Sequence, residues 1–335
     1  MSIRAADQIP PGWTPILETI TMALFQGLIA APFTPMHEDG SLHLGMIPRY
    51  YAFLKHNGVH GAFICGSTGE GVSLSLDEKK RVIDAWGACA SDDDDFAVMP
   101  LVGGTSLEDC RNLARHAEAA GMDAVSFTAP FYFKPADARA LADCCIEVGA
   151  AVPDMPFYYY HIPVLTGVGT SMIDLLQAID GRMPSFVGIK YTHEDFMDYL
   201  SCIHFAEGRY NMLWGRDENM LPALSLGAPG AVGSTYNYAA PLYLDLMAAF
   251  ASGDLASARS LQQQSIDMIR LLGKYGGIAT GKAFMRMLGM DCGKFRLPVR
   301  NMTDDKYELF IRDVKNVGFE SFCSSPLPAM QTEGV

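Results

Sequence analysis

From Gly27 onward the chain alternates short apolar runs with longer amphipathic stretches. The apolar runs are Gly27–Pro32, Gly61–Cys65, Phe96–Val102, Ala124–Thr128, Pro156–Tyr160, Phe186–Lys190, Asn211–Trp214 and Gly230–Gly233. Each has the length of a buried strand. Between them lie stretches with helical spacing, among them Leu76–Cys89, Leu107–Ala120, Asp137–Ala151 and Ser171–Ile179. Ser75, with Glu78 three residues on, forms a capping box that opens the helix at Leu76. Eight strands alternating with helices predict parallel pairing through right-handed crossovers. Such a pattern closes either as a (β/α)8 TIM barrel or as an open doubly wound sheet. The barrel is favoured, because eight units fit the length and no GxGxxG dinucleotide fingerprint follows the first strand.

After Tyr238 the strand signals stop. Helical patterns continue over Pro241–Ala251, Leu255–Leu272, Lys282–Leu288 and Asp304–Asn316. The fold class expected is therefore α/β, a (β/α)8 barrel with a C-terminal helical extension that caps the barrel or builds an oligomer surface. The division expected is an N-terminal extension (1–23), the barrel (24–238), C-terminal helices (239–319) and a tail (320–335). Both ends read as poorly ordered.

Composition narrows the function. The 335 residues are 49% apolar and 19% charged, which excludes a disordered or fibrous chain. No apolar run is long enough to span a bilayer, and the start lacks the basic and greasy segments of a secretory signal. A net charge of −13 argues against nucleic acid as a partner, since phosphate contacts need clustered Lys and Arg. It does not exclude an anionic small molecule, because the field at a site can oppose the global sign. The run Asp92–Asp95 reads as a solvated turn. The eight cysteines are scattered without a CxxC pair, so neither structural zinc nor a disulfide framework is expected, and a cytoplasmic setting is. His56 and His60 have helical spacing, but Gly58 between them marks a helix end rather than a metal site.

Candidate chemistry gathers at the strand ends, where barrels of this kind build their sites. Lys190 ends the sixth apolar run. Most lysines after strands carry their ammonium out to water. A dry setting would instead lower the pKa and supply a neutral amine able to condense with a ketone. The second strand ends in Gly66-Ser67-Thr68-Gly69-Glu70-Gly71, which can aim N–H and O–H groups at an anion or be a plain glycine-rich turn. It is no P-loop, for no Gly-Lys-Ser/Thr follows. In Tyr158-Tyr159-Tyr160, alternation sends Tyr158 and Tyr160 to one face and Tyr159 to the other. A tyrosine beside Lys190 could relay protons for it; otherwise these rings simply pack. Asp217 and Glu218 after the seventh strand, with Ser234 and Thr235 after the eighth, suit a polyhydroxy ligand; capping of a helix explains Asp217 and Glu218 equally well.

GSTGEG, YYHIP, GIKYT, WGRDE and GAVGSTYNY follow one another at consecutive strand ends. In this order they resemble the class I pyruvate-dependent aldolase family that contains N-acetylneuraminate lyases and dihydrodipicolinate synthases. The resemblance covers roughly Leu24 to Phe319, and FYYYHIPVLTGV with GAVGSTYNY looks most like the animal lyases. It implies that Lys190 forms a Schiff base with the substrate ketone and needs no metal or other cofactor. It implies that Ser67 and Thr68 bind the carboxylate of a keto acid and that Tyr160 moves protons. Thr192, Gly215, Asp217, Glu218, Gly233 and Ser234 match positions that hold the polyhydroxy part. Tyr132 resembles an aromatic that enters from a neighbouring subunit, in a family of common homotetramers built as dimers of dimers.

Within the family, synthases typically carry an arginine in the loop after the fifth strand. Here that loop is Pro163-Val164-Leu165-Thr166-Gly167, and Leu165 suits a neutral acceptor. The activity implied is cleavage of N-acetylneuraminate to pyruvate and N-acetylmannosamine. Alternatives are an aldolase or dehydratase for another 2-keto-3-deoxy sugar acid, a dihydrodipicolinate synthase, or a non-catalytic sialic acid binder. His161, where bacterial relatives commonly have asparagine, and Arg216 depart from the pattern. Arg216 either points outward or meets a more anionic sugar acid.

Overall fold

The computed structural model describes residues 25–328, so the expectations for 1–23 and for the end of the tail lie outside the described residues. The strands are β1 (Gly27–Ala30), β2 (Gly61–Ile64), β3 (Ala97–Pro100), β4 (Val125–Phe127), β5 (Phe157–His161), β6 (Phe186–Tyr191), β7 (Asn211–Trp214) and β8 (Gly230–Gly233). Helices α1 (Ile47–His56), α2 (Leu76–Ala90), α3 (Leu107–Ala119), α4 (Ala138–Gly149), α5 (Pro163–Thr166), α6 (Met172–Ile179), α7 (Phe196–His204) and α8 (Met220–Ser225) lie between them. After β8 come α9 (Tyr236–Ala251), α10 (Leu255–Tyr275), α11 (Thr280–Met287) and α12 (Asp304–Asn316). The capping box at Ser75 forms with both of its hydrogen bonds.

All strand pairs are parallel, in the order β3-β2-β1-β8-β7-β6-β5-β4. The remaining seam is bridged between Leu101 and Ser126, and the Val102 N–H donates to the Ser126 carbonyl at 2.8 Å. The sheet therefore nearly closes on itself, as a barrel rather than an open doubly wound sheet. Its interior is filled by Phe25, Ile29, Phe63, Met99, Tyr158 and Tyr160, with smaller side chains around them. The outward residues, Leu28, Ile64, Val98, Tyr159 and Trp214 among them, belong to the larger core under the helices.

One strand breaks the period-two rule. Phe157 pairs with Phe186, but Tyr158 pairs with Gly188, which leaves an extra residue in β6. Phe186 and Ile189 both face the outer core while Val187 packs on the interior cluster. Phe186 and Ile189 are three positions apart, so strict alternation would have put them on opposite faces. The bulge shifts the phase, and Lys190 turns inward as a result. Gly188 is required there: a Cβ would lie 2.1 Å from the Asn211 carbonyl oxygen and 2.8 Å from the Tyr158 ring.

Two helices differ from the sequence expectation. The segment around Leu165 is not an open loop but the single turn α5, with Pro163 at its first position, where the missing N–H costs nothing. Helix α9 starts at Tyr236 rather than Pro241. The backbone departs from helical values at Ala239 (φ −139, ψ 32), so Pro241 falls in the first turn of the straight part. Asn237 fixes α9 to the barrel, donating to the Ala31 carbonyl and accepting from the Tyr50 hydroxyl, each at 2.7 Å. Among the described residues no helix is long and apolar enough to cross a membrane.

Candidate active site

β5 and β6 lie side by side with Tyr160 opposite Lys190. The lysine does not reach water: only 3% of it is exposed. Its Nζ lies 3.7 Å from the centre of the Phe63 ring and 4.2 Å from that of Tyr160, two rings that meet edge to face. Burial lowers the Lys190 pKa to about 7, while the Asp217 carboxylate, just past the end of the neighbouring strand β7, pulls the other way. A substantial fraction of this amine is therefore neutral near pH 7, which is what nucleophilic attack requires.

Tyr160 is buried as well, and burial pushes its phenol up to about 12, opposed by the nearby hydroxyls of Ser67 and Thr192. At rest it is a protonated donor. Tyr158 points the same way but deeper, and its hydroxyl has no hydrogen-bond partner. His161 faces outward, tilted against the rings of Tyr159 and Tyr191 and edge-on to that of His193. Burial first, and then the His193 ring, lower its pKa to about 4, so it carries no charge at neutral pH.

The glycine-rich turn after β2 is held at both ends by residues in left-handed backbone, Cys65 (φ 55) and Glu70 (φ 58). Each costs on the order of 1–2 kcal/mol for a residue with a Cβ and persists only where the surroundings fix it. Within the turn the Gly71 N–H donates to the Gly66 carbonyl at 3.0 Å and the Glu70 N–H to that of Ser67 at 3.2 Å. A Cβ on Gly71 would fall 1.8 Å from the Cys65 carbonyl oxygen. Ser67 is half-buried and Thr68 buried.

The wall of the mouth next to β6 is built by β7 and β8. Asp217 is buried, and its Oδ2 accepts from the Thr235 N–H at 2.9 Å and from Thr235 Oγ1 at 2.6 Å. It therefore ties two strand ends together rather than capping its own turn. Burial raises its pKa to about 6, against the Thr235 hydrogen bonds. Asp217 Oδ1 and Thr192 Oγ1 are buried and make no well-formed hydrogen bond within the chain, although the Tyr236 and Tyr160 hydroxyls lie near them, so a hydroxylated ligand at this mouth would satisfy both. Gly233 and Gly215 make room for them, since a Cβ at either would lie 1.9 Å from Asp217 Oδ1 or from Thr192 Oγ1 respectively.

Arg216 lies between Glu194 and Glu218, with Nη2 2.7 Å from a carboxylate oxygen of each. Its charge is spent on those acids. Ser234 is half-buried beside this wall. Tyr132 stands apart from Lys190 on this chain, 79% exposed and edge-on to Phe133. Leu165 is exposed on α5. The loop does have a cation near it: the exposed Lys134, from the segment after β4, brings its Nζ beside Gly167, within 2.4 Å of where a Cβ would sit. Reading the loop by itself missed that lysine, so Leu165 decides less than its sequence context suggested. Thr235 was also missed as the partner of Asp217, although a Ser-Thr pair straight after a strand is a signal of a polar strand end. Among the described residues no group of three or more His, Cys, Asp or Glu is placed to hold a metal.

Residues 24–317 match the model of the dihydrodipicolinate synthetase family. This chain belongs to that family. Its similarity to the N-acetylneuraminate lyase of Rattus norvegicus is 40% identity over 301 residues, 89% of this chain and 94% of the rat protein. The solved N-acetylneuraminate lyase of Proteus mirabilis is 36% identical, with a TM-score of 0.85 over 88% of this chain and 99% of that one. That of Aliivibrio salmonicida, a sialic acid aldolase, is 32% identical with a TM-score of 0.86 over 89% and 98%. In this member of the dihydrodipicolinate synthetase family, the five sequence motifs lie at the ends of β2, β5, β6, β7 and β8, around one mouth.

Proposed function

We propose that the protein is a class I aldolase that cleaves N-acetylneuraminate to pyruvate and N-acetylmannosamine. The observation that carries this reading is the buried Lys190 amine, brought to a pKa of about 7 beside Tyr160. The neutral Nζ attacks the C2 ketone of the open-chain sugar acid. Tyr160, kept protonated by burial, donates a proton to the carbinolamine oxygen, water leaves, and an iminium forms. The phenolate left behind is a strong base and removes the C4 hydroxyl proton. The C3–C4 bond then breaks, its electron pair moves to the iminium as an enamine, and the aldehyde departs. Protonation at C3 and hydrolysis release pyruvate and restore Lys190. The iminium is the electron sink, so the lysine itself supplies the chemistry that a separate cofactor would bring.

In this reading Ser67 and Thr68 bind the keto-acid carboxylate, with the backbone amides of their turn. Thr192, Gly215, Asp217, Glu218, Gly233 and Ser234 hold the polyhydroxy part, with Asp217 Oδ1 as an acceptor and the Thr192 hydroxyl as donor or acceptor. Tyr132, exposed on its own chain, completes the site of a neighbouring copy, which requires at least a dimer and fits a homotetramer. A cytoplasmic enzyme is in keeping with this chemistry.

The test is reduction with borohydride in the presence of pyruvate, followed by mapping of the adduct. A reduced pyruvyl group on Lys190 is expected, and an unmodified Lys190 overturns the Schiff-base reading. Cleavage rates on N-acetylneuraminate and on 2-keto-3-deoxy sugar acids then fix the substrate. A tenfold preference for one of the latter, about 1.4 kcal/mol in transition-state binding, overturns the assignment to sialic acid.

A further inference from the structure

The proposed chemistry makes no use of Lys282 and Glu70, yet they form the most deeply buried ion pair among the described residues. Lys282 Nζ lies 2.8 Å from Glu70 Oε1, and each side chain is at most 3% exposed. The ammonium also donates to the Thr34 carbonyl at 3.0 Å and to the Lys294 carbonyl at 3.1 Å, so its three protons all have acceptors. The other oxygen of Glu70 accepts from the Arg296 N–H at 2.8 Å. Thr34 in turn donates from Oγ1 to the Gly69 carbonyl at 2.6 Å. Helix α11 and the segment after it thus grip Glu70 directly, and Lys282 also holds Thr34, the residue after β1 that binds Gly69 of the turn that carries Ser67 and Thr68.

Stability alone is a poor reason for this arrangement. Two buried charges pay desolvation that their attraction only just offsets, and an apolar pair of the same volume would hold a core as well. What an apolar pair cannot supply is direction. Glu70 occupies left-handed backbone, and so does Cys65 at the other end of the turn. A carboxylate bonded at both oxygens fixes where the strained residue sits, and with it the amides and hydroxyls of the turn. We propose that Lys282 and Glu70 are positioning residues that set the carboxylate-binding geometry of the Ser67–Thr68 turn, an inference that rests on the aldolase reading above.

The experiment measures the pyruvate concentration that half-saturates borohydride trapping at Lys190, together with the trapped fraction at saturation. Half-saturation does not depend on how much protein is folded, whereas the trapped fraction does. For Lys282→Met a tenfold or greater rise in half-saturation is expected, with the trapped fraction and kcat at saturation lowered less than threefold. Glu70→Gln keeps the shape and an acceptor for the Arg296 N–H, so it carries the test if Lys282→Met does not fold; a three- to tenfold rise is expected. In the double variant half-saturation should be no worse than in Lys282→Met, because both residues act through one contact. Unchanged half-saturation in Glu70→Gln, or loss of trapped fraction alone in Lys282→Met, overturns the proposal and leaves a scaffold role. Multiplying effects in the double variant overturn it too. Wild-type protein that traps no pyruvate sinks the aldolase reading itself, which separates the two failures.

Discussion

Strands β5 and β6 are neighbours, and each delivers one proposed catalytic group to the same mouth by a different device. β5 keeps strict alternation: Tyr158 and Tyr160 inside, Tyr159 outside, as its sequence alone specifies. β6 gains a residue between Phe186 and Ile189, and only this bulge turns Lys190 inward. A plain period-two reading from Phe186 would have aimed the lysine at the helices. The difference teaches that the aromatic partner is placed by the repeat of the strand, whereas the nucleophile is placed by a break in it.

The largest effect expected comes from removing the group that the bulge presents. Lys190→Ala should lower kcat/KM by about 10⁴-fold or more, since without the amine there is no covalent step. Steady-state cleavage assays check this, and activity within tenfold of wild type would refute the lysine's role. The matching change on the regular strand is Tyr160→Phe. It keeps the ring packed on Phe63 and removes only the hydroxyl, so kcat should drop about 10²–10⁴-fold while thermal stability holds. If kcat stayed put and KM alone rose, the phenol would be a binding group and not a proton carrier.

Gly188→Ala attacks the bulge itself. The added methyl meets the Asn211 carbonyl at 2.1 Å, in backbone that has little room to give. A stability loss of about 1–3 kcal/mol is expected in denaturant unfolding. A loss of about 10²-fold in kcat should accompany it, because a misplacement near 1 Å costs that much. Folded, fully active Gly188→Ala would mean that the phase of Lys190 does not depend on this glycine.

The same contrast explains how much of the molecule was legible. Strand positions, the Ser75 cap and the inward faces of β5 follow from local periodicity, and the structure agrees with the strand ends to within two residues. The barrel followed from counting units, and the strand-end motifs located the mouth. The phase of β6 was hidden because a bulge forms against a neighbouring strand, and Gly188 carries no mark of it beyond being glycine. Long-range partners were hidden for the same reason. Lys282 meets Glu70 across 212 positions of sequence, and Lys134 reaches Gly167 from another loop. Asp217 could be read either as a cap or as a ligand group, and only the packing of β7 beside β8 shows it bound to Thr235. Lys282 did leave a trace: it shares a helix face with the buried Met285, an odd position for a charge.

The smallest effect expected tests the charge that faces both strands. Burial brings Lys190 to about 7, and the Asp217 anion holds it from going lower. Asp217 has a pKa of about 6, so it is already charged as the lysine titrates. The competent free enzyme is the one with the amine neutral, and kcat/KM should therefore rise with pH to a plateau above about 7. Asp217→Asn keeps an oxygen for the Thr235 N–H and hydroxyl but removes the anion. Without it the ammonium is less favoured, the amine loses its proton sooner, and the acid limb should move to lower pH. The height of the plateau should also fall through lost substrate contacts, but that fall does not move the midpoint. A midpoint that stays near 7, or shifts upward, would mean that Lys190 is tuned by its dry surroundings alone, the Phe63 and Tyr160 rings among them.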